Sequence, residues 1–228
     1  MGSLSEYKKL NLRKASILNV GGSRPAGDPF ASHFGLLPLA MPGETWPEFD
    51  GEPLMLVCQM NLTAAPSVPE LLQGVKLITF FVNPETEEWP KEAGTDWVVR
   101  TYKSLDGLAP MTPPAGAPAA RKGFEGSWRA CDDYPSLDDP DRSVPDDFDD
   151  SELEVESVHR TKIGGWASNI QSEPWWEYRE HAARPKYCFQ VASEEKAGLV
   201  WGDNGTLYLG RGTAPGFGNQ WFLDWQCY

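Results

Sequence analysis

The hydrophobic pattern of the chain is dominated by short apolar runs with the length of a β-strand. Runs rich in β-branched and aromatic residues cover 54–60, 76–82, 97–102, 187–192, 198–201 and 206–210. Between the last two lies Gly202-Asp203-Asn204-Gly205, and Asn-Gly between apolar runs favours a tight turn. The sequence therefore predicts a core sheet built from these runs, in which residues 199–209 form a hairpin.

Helix signals are fewer and shorter. The N-terminal segment 1–17 predicts a helix from Leu4 to about Ala15, and a second helix is predicted from near Ser172 to about Ala183. Between the first two strand runs, a capping-box pair in 67–74 predicts one short helix that ends at a glycine. The segment 106–154 is mostly Pro, Gly, Asp and Ser, which predicts a long irregular insertion.

The fold class that follows is α+β: a mixed, sheet-dominated single domain over residues 1–228 with one long acidic insertion. With 40% hydrophobic residues, the chain can bury one sizeable core. The strand around Gln59 recurs in form around Gln190. Two related halves about a pseudo-twofold axis would explain this echo, and chance similarity between two amphipathic strand pairs would explain it equally well.

Charge is concentrated in one part of the chain. The net charge is −13, and the window from Cys131 to Glu156 holds twelve acids and one base, Arg142. A field of this sign repels nucleic acid and anionic membranes, so neither is predicted as a partner, whereas a basic protein would be attracted. Calcium binding by this window is an alternative, but the window lacks the alternating acids and mid-loop glycine of an EF-hand, so no metal site is predicted.

Cysteines and histidines give no sign of catalysis. The four cysteines are far apart with no metal-ligand spacing, and the three histidines are isolated. No cofactor motif and no nucleophile–base pair stands out, so neither an enzyme nor a cofactor is predicted. The N-terminus has no apolar signal core and no run is long enough for a membrane helix, so we expect a cytoplasmic protein.

Several short motifs follow one another in a fixed order. They are Phe34-Gly35-x-x-Pro38, Trp46-Pro47, Asp50-Gly51-x-Pro53-Leu54, Gln59-x-Asn61-Leu62, Lys162-Ile163-Gly164-Gly165 with Ile170-Gln171, Trp201-Gly202-Asp203-x-Gly205-x-Leu207-Tyr208 and Asp224-Trp225-Gln226-Cys227-Tyr228. In this order they resemble the YwqG-like bacterial family, a domain of unknown function (number 1963), from about residue 33 to 228. The chain departs from the family at Leu36, where a second glycine is usual, and in its acidic insertion. The resemblance implies a mixed β-sheet domain, and that some members act as immunity proteins beside secreted bacterial toxins.

Two functions of different classes follow. The first is an immunity protein, or antitoxin, that binds a basic toxin such as a secreted nuclease and occludes its active site, because dense carboxylates complement a phosphate-binding cleft. The residues expected to bind this partner are acids and aromatic anchors: Asp146, Asp147, Phe148, Asp149, Asp150, Glu152, Glu154, Trp175 and Trp176. The alternative is a small-ligand-binding or enzymatic domain with a cleft lined by Gln59, Gln171, Gln190, Trp201 and Asp203. Hairpin turn chemistry for Asp203, and buried glutamines that bond backbone groups, explain the same residues without a cleft.

Overall fold

The computed structural model describes residues 3–21, 27–86, 93, 96–119, 123–136, 139–146, 148 and 157–228. Two α-helices lie in this part of the chain, α1 (Leu4–Asn11) and α2 (Trp175–Tyr178), together with 3-10 turns at Leu62–Ala64 and Glu70–Leu72. The strands are β1 (Arg13–Val20), β2 (Ser32–Phe34), β3 (Leu39–Ala40), β4 (Glu48–Phe49), β5 (Glu52–Pro53), β6 (Met55–Asn61), β7 (Leu77–Val82), β8 (Trp97–Tyr102), β9 (Ala109–Pro110), β10 (Phe124–Asp133), β11 (Lys162–Gly164), β12 (Lys186–Ala192), β13 (Thr206–Arg211) and β14 (Trp221–Gln226).

Ten strands form one sheet in the order β14-β13-β12-β11-β1-β10-β2-β6-β7-β8. Each neighbouring pair in this order is antiparallel, so the prediction of a mixed sheet was wrong. The two ends of the sheet approach each other, since the Ala93 amide just before β8 donates to the Trp221 carbonyl of β14 (3.4 Å). The molecule is therefore a single, sheet-dominated domain around one nearly closed sheet.

The main core fills the inside of this curled sheet. All ten strands contribute to one apolar cluster, which requires their inward side chains to converge. Among its members are Leu18, Phe34, Met60, Ile78, Trp97, Trp128, Ile163, Phe189, Leu209 and Trp221. Three smaller clusters cover the outer face, one of them built from Trp175, Trp176, Ala183, Tyr208 and Phe222. The sheet thus buries apolar side chains on both faces, which explains its near-continuous hydrophobic runs.

The centre of the sheet is the part that sequence patterning missed. β10 lies inside the segment 106–154, so the prediction of an irregular insertion was wrong for residues 124–133. β10 pairs with the whole length of β1, from Arg13 opposite Asp133 to Val20 opposite Gly126. Much of this strand is only half-buried, so its sequence has no apolar run. The strand is recognisable only from its pairing with β1 on one side and β2 on the other.

The predicted helices are shorter in the structure. The first helix ends at Asn11 and β1 begins at Arg13, so residues 13–15 of the predicted helix belong to a strand. The second helix is a single turn that starts behind Pro174 and ends when the Arg179 amide bonds the Trp175 carbonyl. Tertiary pairing and packing thus override the local helical pattern at both places.

The predicted hairpin at 199–209 was also wrong. Leu199 forms only an isolated bridge with Glu194, and β13 pairs with β12 and β14 instead. Asn204 does lie in a turn, in left-handed backbone with φ of 54°, and the Gly205 amide bonds the Trp201 carbonyl. The Asn-Gly signal therefore located a turn correctly, but not the strands on its two sides.

One ion pair is completely buried in the structure. Lys162 at the start of β11 reaches Asp133 at the end of β10, with 2.6 Å between Nζ and Oδ2, and neither side chain is exposed. The same Oδ2 accepts the Trp166 amide at 2.8 Å. Gly165 lies against this carboxylate with φ of 72°, and a Cβ there would come within 2.1 Å of Oδ2. The Lys-Ile-Gly-Gly motif therefore builds a tight turn around a buried carboxylate.

We predict that Asp133→Asn destabilises the protein by about 3–5 kcal/mol at neutral pH, because it leaves the Lys162 charge buried and unpaired. Urea unfolding measures this loss. Burial lowers the pKa of Lys162 and Asp133 opposes that shift, so the loss should shrink at alkaline pH, where the lysine of the variant becomes neutral.

The neighbouring residue supplies a matched control. Asp132 forms an ion pair with Lys14 on the protein surface, with 2.5 Å between Oδ1 and Nζ and somewhat more than half of each side chain exposed. Asp132→Asn should leave stability nearly unchanged, because exposed ion pairs contribute little. Equal losses for the two variants would contradict a structural role for the buried pair.

Candidate functional site

The residues proposed to line a glutamine cleft do not come together. Gln59 lies on β6 and Gln190 on β12, and four strands separate them in the sheet. Each side chain is fully buried on the outer face of its own half. A single cleft cannot hold both.

Each of these two glutamines instead holds the chain on both sides of a neighbouring strand. Gln59 Oε1 accepts the Leu39 amide (2.7 Å), and its Nε2 donates to the Pro29 and Ala31 carbonyls (2.9 Å each). The oxygen and the nitrogen of this side-chain amide thus bond backbone groups that would otherwise be buried without partners.

Gln190 repeats this arrangement beside β11. Its Oε1 accepts the Ser168 amide (3.1 Å), and its Nε2 donates to the Arg160 carbonyl (3.0 Å). The bonded positions lie at the same offsets in both places: Leu39 and Ser168 are each six residues after the strand residue opposite the glutamine, His33 or Lys162.

The other residues proposed for the cleft are scattered. Gln171 is exposed and donates to the Cys227 carbonyl (2.8 Å), and Asp203 is exposed in the turn. Trp201 is buried and lines a cavity of about 430 Å³ together with Met55 and Trp225. Of the five proposed residues, Trp201 is the one that the structure places in a cavity wall among the described residues.

The acidic window is described in part. Asp147, Asp149, Asp150, Glu152 and Glu154 lie outside the described residues. Asp146 is exposed, and Phe148 stacks on Tyr7 of α1 with 5.1 Å between ring centroids and 11° between ring planes.

Helix α1 holds the described part of the window in place. The Asn11 side chain accepts the Ser143 amide at Oδ1 (2.8 Å) and donates from Nδ2 to the Ser143 carbonyl (2.7 Å). Nδ2 also bonds the Tyr7 carbonyl (2.9 Å), which fixes the amide to the helix. Residues 139–146 and Phe148 are therefore anchored to the folded body by a buried amide and by the Tyr7–Phe148 ring stack.

Exposed apolar side chains flank this anchor. Leu10 and Leu12, on either side of Asn11, are 53% and 38% exposed, and Val144, next to Ser143, is 47% exposed. Because Asn11 and Ser143 are hydrogen-bonded, these side chains share one neighbourhood with the carboxylates of the window. We call this patch the α1–acidic surface, defined by Leu10, Leu12, Asp139, Asp141, Val144 and Asp146.

Carboxylates crowd together at one side of this surface. Asp139 and Asp141 line a small cavity together with Glu177 of α2 and Arg13, whose guanidinium stacks on the Trp166 ring (3.3 Å to the centroid). Burial, and then repulsion from Asp141 and Glu177, raise the pKa of Asp139 to about 6, although Arg13 and a backbone hydrogen bond oppose the shift. The fold therefore holds several negative charges close together, which a further cation would stabilise.

The two tryptophans proposed as partner anchors face the protein itself. Trp175 is 4% and Trp176 5% exposed, and both pack against Phe222 and Tyr208 in the outer cluster. Trp175 also donates its indole N–H to the Leu223 carbonyl (3.0 Å). Neither ring offers an exposed apolar face to a partner.

Sequence reasoning missed the contribution of α1 to this surface. The sequence predicts a helix from Leu4 to about Ala15 and no contact for it, whereas the end of α1 and the next residue supply Leu10, Asn11 and Leu12 to a patch whose other half lies 132 residues away. The local signal was the weak amphipathicity of the helix, which leaves two leucines without a core to enter. Only the fold shows which segment they accompany.

The described residues were also compared with the requirements of a metal site and of a membrane-spanning helix. No group of three or more His, Cys, Asp or Glu side chains in this part of the chain is arranged to hold a metal ion. The described helices are also too short and too polar to cross a bilayer.

Comparison with protein families identifies the class. The model of the family described as Domain of unknown function (DUF1963) matches residues 32–210, so the chain belongs to this family. The family resemblance carried by the sequence motifs is thereby confirmed. The matched range runs from β2 to β13, and α1 lies before it. No curated protein sequence matches the chain significantly.

We predict that Asp139→Asn makes the protein more stable at pH 7 but not at pH 4. The pKa of Asp139 is raised in the folded state, so ionisation costs stability as pH rises from the unfolded value near 4 to about 6. Since the carboxylate is partly exposed, we discount the full shift and expect a gain of about 1 kcal/mol or less at pH 7. The Asp141 amide keeps its oxygen acceptor in the variant.

Urea unfolding of the two proteins at both pH values measures this difference. If the two proteins differ in free energy of unfolding by the same amount at pH 4 and pH 7, burial and the neighbouring acids do not destabilise the ionised Asp139.

Proposed function

We propose that this protein is an immunity protein that binds a basic toxin, such as a secreted nuclease, and blocks its active site. The observation that supports this proposal best is the α1–acidic surface. It combines exposed apolar side chains with carboxylates on a segment that is anchored to the fold. Apolar centres with charged surroundings are typical of protein interfaces, whereas a merely solubilising loop needs no apolar side chains.

Charge complementarity favours a basic partner. The window from Cys131 to Glu156 carries most of the net charge of −13, and Asp139, Asp141 and Glu177 already repel one another. A lysine or arginine of a partner would relieve this repulsion at the moment of binding. The same field would accelerate the encounter with a basic protein.

The apolar anchors of this interface differ from those that the sequence suggested. We assign this role to Leu10, Leu12 and Val144, because Trp175 and Trp176 are buried in the outer cluster. A protein of this kind would act in the cytoplasm of the cell that makes the toxin.

We also infer that the chain is an internal repeat with pseudo-twofold symmetry. The sheet order relates β2, β6, β7 and β8 to β11, β12, β13 and β14, with β1 and β10 at the centre. Each of β6 and β12 has a β-bulge just before its buried glutamine. The bulge lies between residues 56 and 58 before Gln59, and between residues 187 and 189 before Gln190. Gly35 and Trp46 in one half correspond to Gly164 and Trp175 in the other, each pair separated by eleven residues.

This correspondence supports an acidic insertion at one defined place. The linker from β1 to β2 covers residues 21–31, and its counterpart from β10 to β11 covers residues 134–161. The extra length holds most of the acidic window. An element added to one repeat and docked on α1 fits a role in recognising a specific partner.

The small-ligand alternative has one observation in its favour, the cavity beside Trp201. Its proposed glutamines are used by the backbone, so the cleft would have to bind through tryptophan and aliphatic side chains alone. We therefore rank it second.

We predict that neutralising the α1–acidic surface weakens protection against the toxin. If a basic protein encoded beside this gene proves toxic, the variant Asp141→Asn/Val144→Ser/Asp146→Asn is co-expressed with it, and growth and the dissociation constant are measured. Each desolvated carboxylate contact should contribute about 1–3 kcal/mol, so binding should weaken by about tenfold or more.

A matched control also neutralises two carboxylates and replaces one valine, but at another place. Glu48, Glu52 and Val200 are exposed and lie away from this surface, so the variant Glu48→Gln/Val200→Ser/Glu52→Gln should protect and bind like the parent. Full protection by the surface variant, or no toxicity from the neighbouring gene product, would contradict the proposal.

We predict further that association with the toxin slows as salt rises from low to physiological concentration. Exposed charges are screened beyond about 8–10 Å at physiological ionic strength. Stopped-flow mixing measures the rate constant, and the surface variant should show a shallower dependence on salt. A rate that ignores salt would rule out electrostatic steering.

A further inference from the structure

An apolar cavity lies on the outer face of the first half of the sheet, between the chain that follows β2 and the chain that follows β9. Its volume is about 300 Å³, at the lower end of the range for small-molecule sites. Nine described residues line it: Gly35, Leu36, Leu37, Trp46, Leu56, Pro113, Ala117, Pro118 and Ala119. None of these nine has an ionisable side chain.

The floor of this cavity is buried, whereas its mouth is open. Trp46 and Leu56 belong to an outer cluster with Phe81, whose ring lies at 82° to the Trp46 indole with 5.3 Å between centroids. The Trp46 N–H donates to the Leu54 carbonyl (2.7 Å), so the indole contributes apolar ring atoms to the cavity wall. Leu37, which is 48% exposed, lies at the mouth.

Backbone hydrogen bonds hold the wall that follows β9. β9 itself pairs with β3, and the Met111 amide next to it donates to the Pro38 carbonyl (2.8 Å). The Ala117 amide donates to the Pro114 carbonyl (3.1 Å), which closes a turn. Met111 and Ala117 also pack against the outer cluster at the floor. The wall is therefore part of the folded body.

The internal repeat places a counterpart of this cavity in the second half. Leu37 and Trp166 each lie two residues before the position whose amide donates to a buried glutamine. Leu56 and Tyr187 each lie directly before a β-bulge and three residues before that glutamine. Trp166 and Tyr187 line the counterpart, whose volume is only about 30 Å³, little more than a water molecule needs.

Aromatic side chains thus stand in the second half where the first half has leucines. The Trp166 ring is 4% exposed and is covered by the Arg13 guanidinium, 3.3 Å from its centroid. The smaller side chains of Leu37 and Leu56 leave open a space of the kind that two rings fill in the counterpart. The counterpart therefore indicates the chemistry that suits this space.

We propose that the cavity of the first half binds a small uncharged molecule with an aromatic ring, such as a phenol or an indole. The ring lies against Trp46 and over Leu56, and it gains from contact with the indole beyond the apolar area that it buries. A charged group would lose its hydration without gaining a partner among the nine lining side chains. This inference rests on the proposed repeat and not on the immunity function.

The experiment titrates the full chain with three probes of matched size at constant ionic strength and pH 7, where phenols are neutral. The probes are p-cresol, its ring-saturated form and p-toluate, the charged counterpart. The readouts are the methyl signals of Leu36 and Ala117 in NMR spectra and the melting temperature. We expect p-cresol to give saturable shifts and a raised melting temperature, the saturated form to bind several-fold more weakly, and p-toluate to bind about tenfold more weakly or worse.

Substitutions at the mouth test the location of the site. Leu37→Trp places at this position the residue type that the second half has there, so it should fill the space, weaken p-cresol binding about tenfold or more, and leave the melting temperature unchanged or raised. Leu37→Ala should weaken binding about fourfold, the equivalent of one buried methylene group. The matched control is Val200→Trp, at an equally exposed position that lines the separate cavity beside Trp201, and it should bind like the parent.

The inference is overturned by any of three results. The first is that p-cresol causes no saturable shift of the Leu36 and Ala117 signals, or that the saturated or charged probe binds as tightly. The second is that Leu37→Trp and Leu37→Ala, folded as judged by their melting curves, bind p-cresol like the parent. The third is that Val200→Trp alone abolishes binding, which would place the ligand beside Trp201. Protection against a toxin is measured separately, so its failure leaves this inference standing.

Discussion

Two buried glutamine amides hold the sheet of this protein together at its two weakest places. β2 and β11 are strands of three residues each, and they join the central pair β1–β10 to the outer strands. Strands this short make few ladder bonds of their own. Gln59 and Gln190 add bonds to the backbone before and after them, which fixes where each strand begins and where the following loop turns. Without these side-chain bonds, several backbone groups would be buried unpaired, at a cost comparable to a substantial part of a domain's stability.

The buried ion pair extends this constraint to the protein surface. Asp133 is the last residue of β10, and the acidic window continues directly from it. Its bonds to Lys162 and to the Trp166 amide set the position at which the window leaves the sheet. Asn11 then fixes the window a second time, at Ser143. An otherwise polar, like-charged segment is thereby held between two anchors, and the repulsion among its carboxylates is retained in the folded state.

The molecule presents two surfaces of opposite character around α2. On one side Glu177 lines a small cavity with Asp139 and Asp141, and on the other it lines an open groove with Arg184 and Lys186. The single turn of helix is kept short by Pro174 before it and by buried tryptophans that lock it onto the sheet. Glu177 is the residue that lines both cavities.

The sequence by itself determined several of the outer strands of the sheet, though not β14 at its end, together with the family and the concentration of negative charge. Strands β6, β7, β12 and β13 are buried on both faces over most of their length, so apolar runs mark them regardless of their partners. Only the tertiary structure decided the central strand β10, which has no such run and exists because β1 and β2 pair with it. The same holds for the sites: the glutamines and tryptophans were identifiable as unusual residues, but whether each faces a ligand or a buried backbone group depends on contacts between segments more than twenty residues apart. Hydrophobic patterning reflects how deeply a residue is buried. The partner of a polar group is set instead by contacts between distant segments, and these contacts decide which side chains are exposed to a ligand.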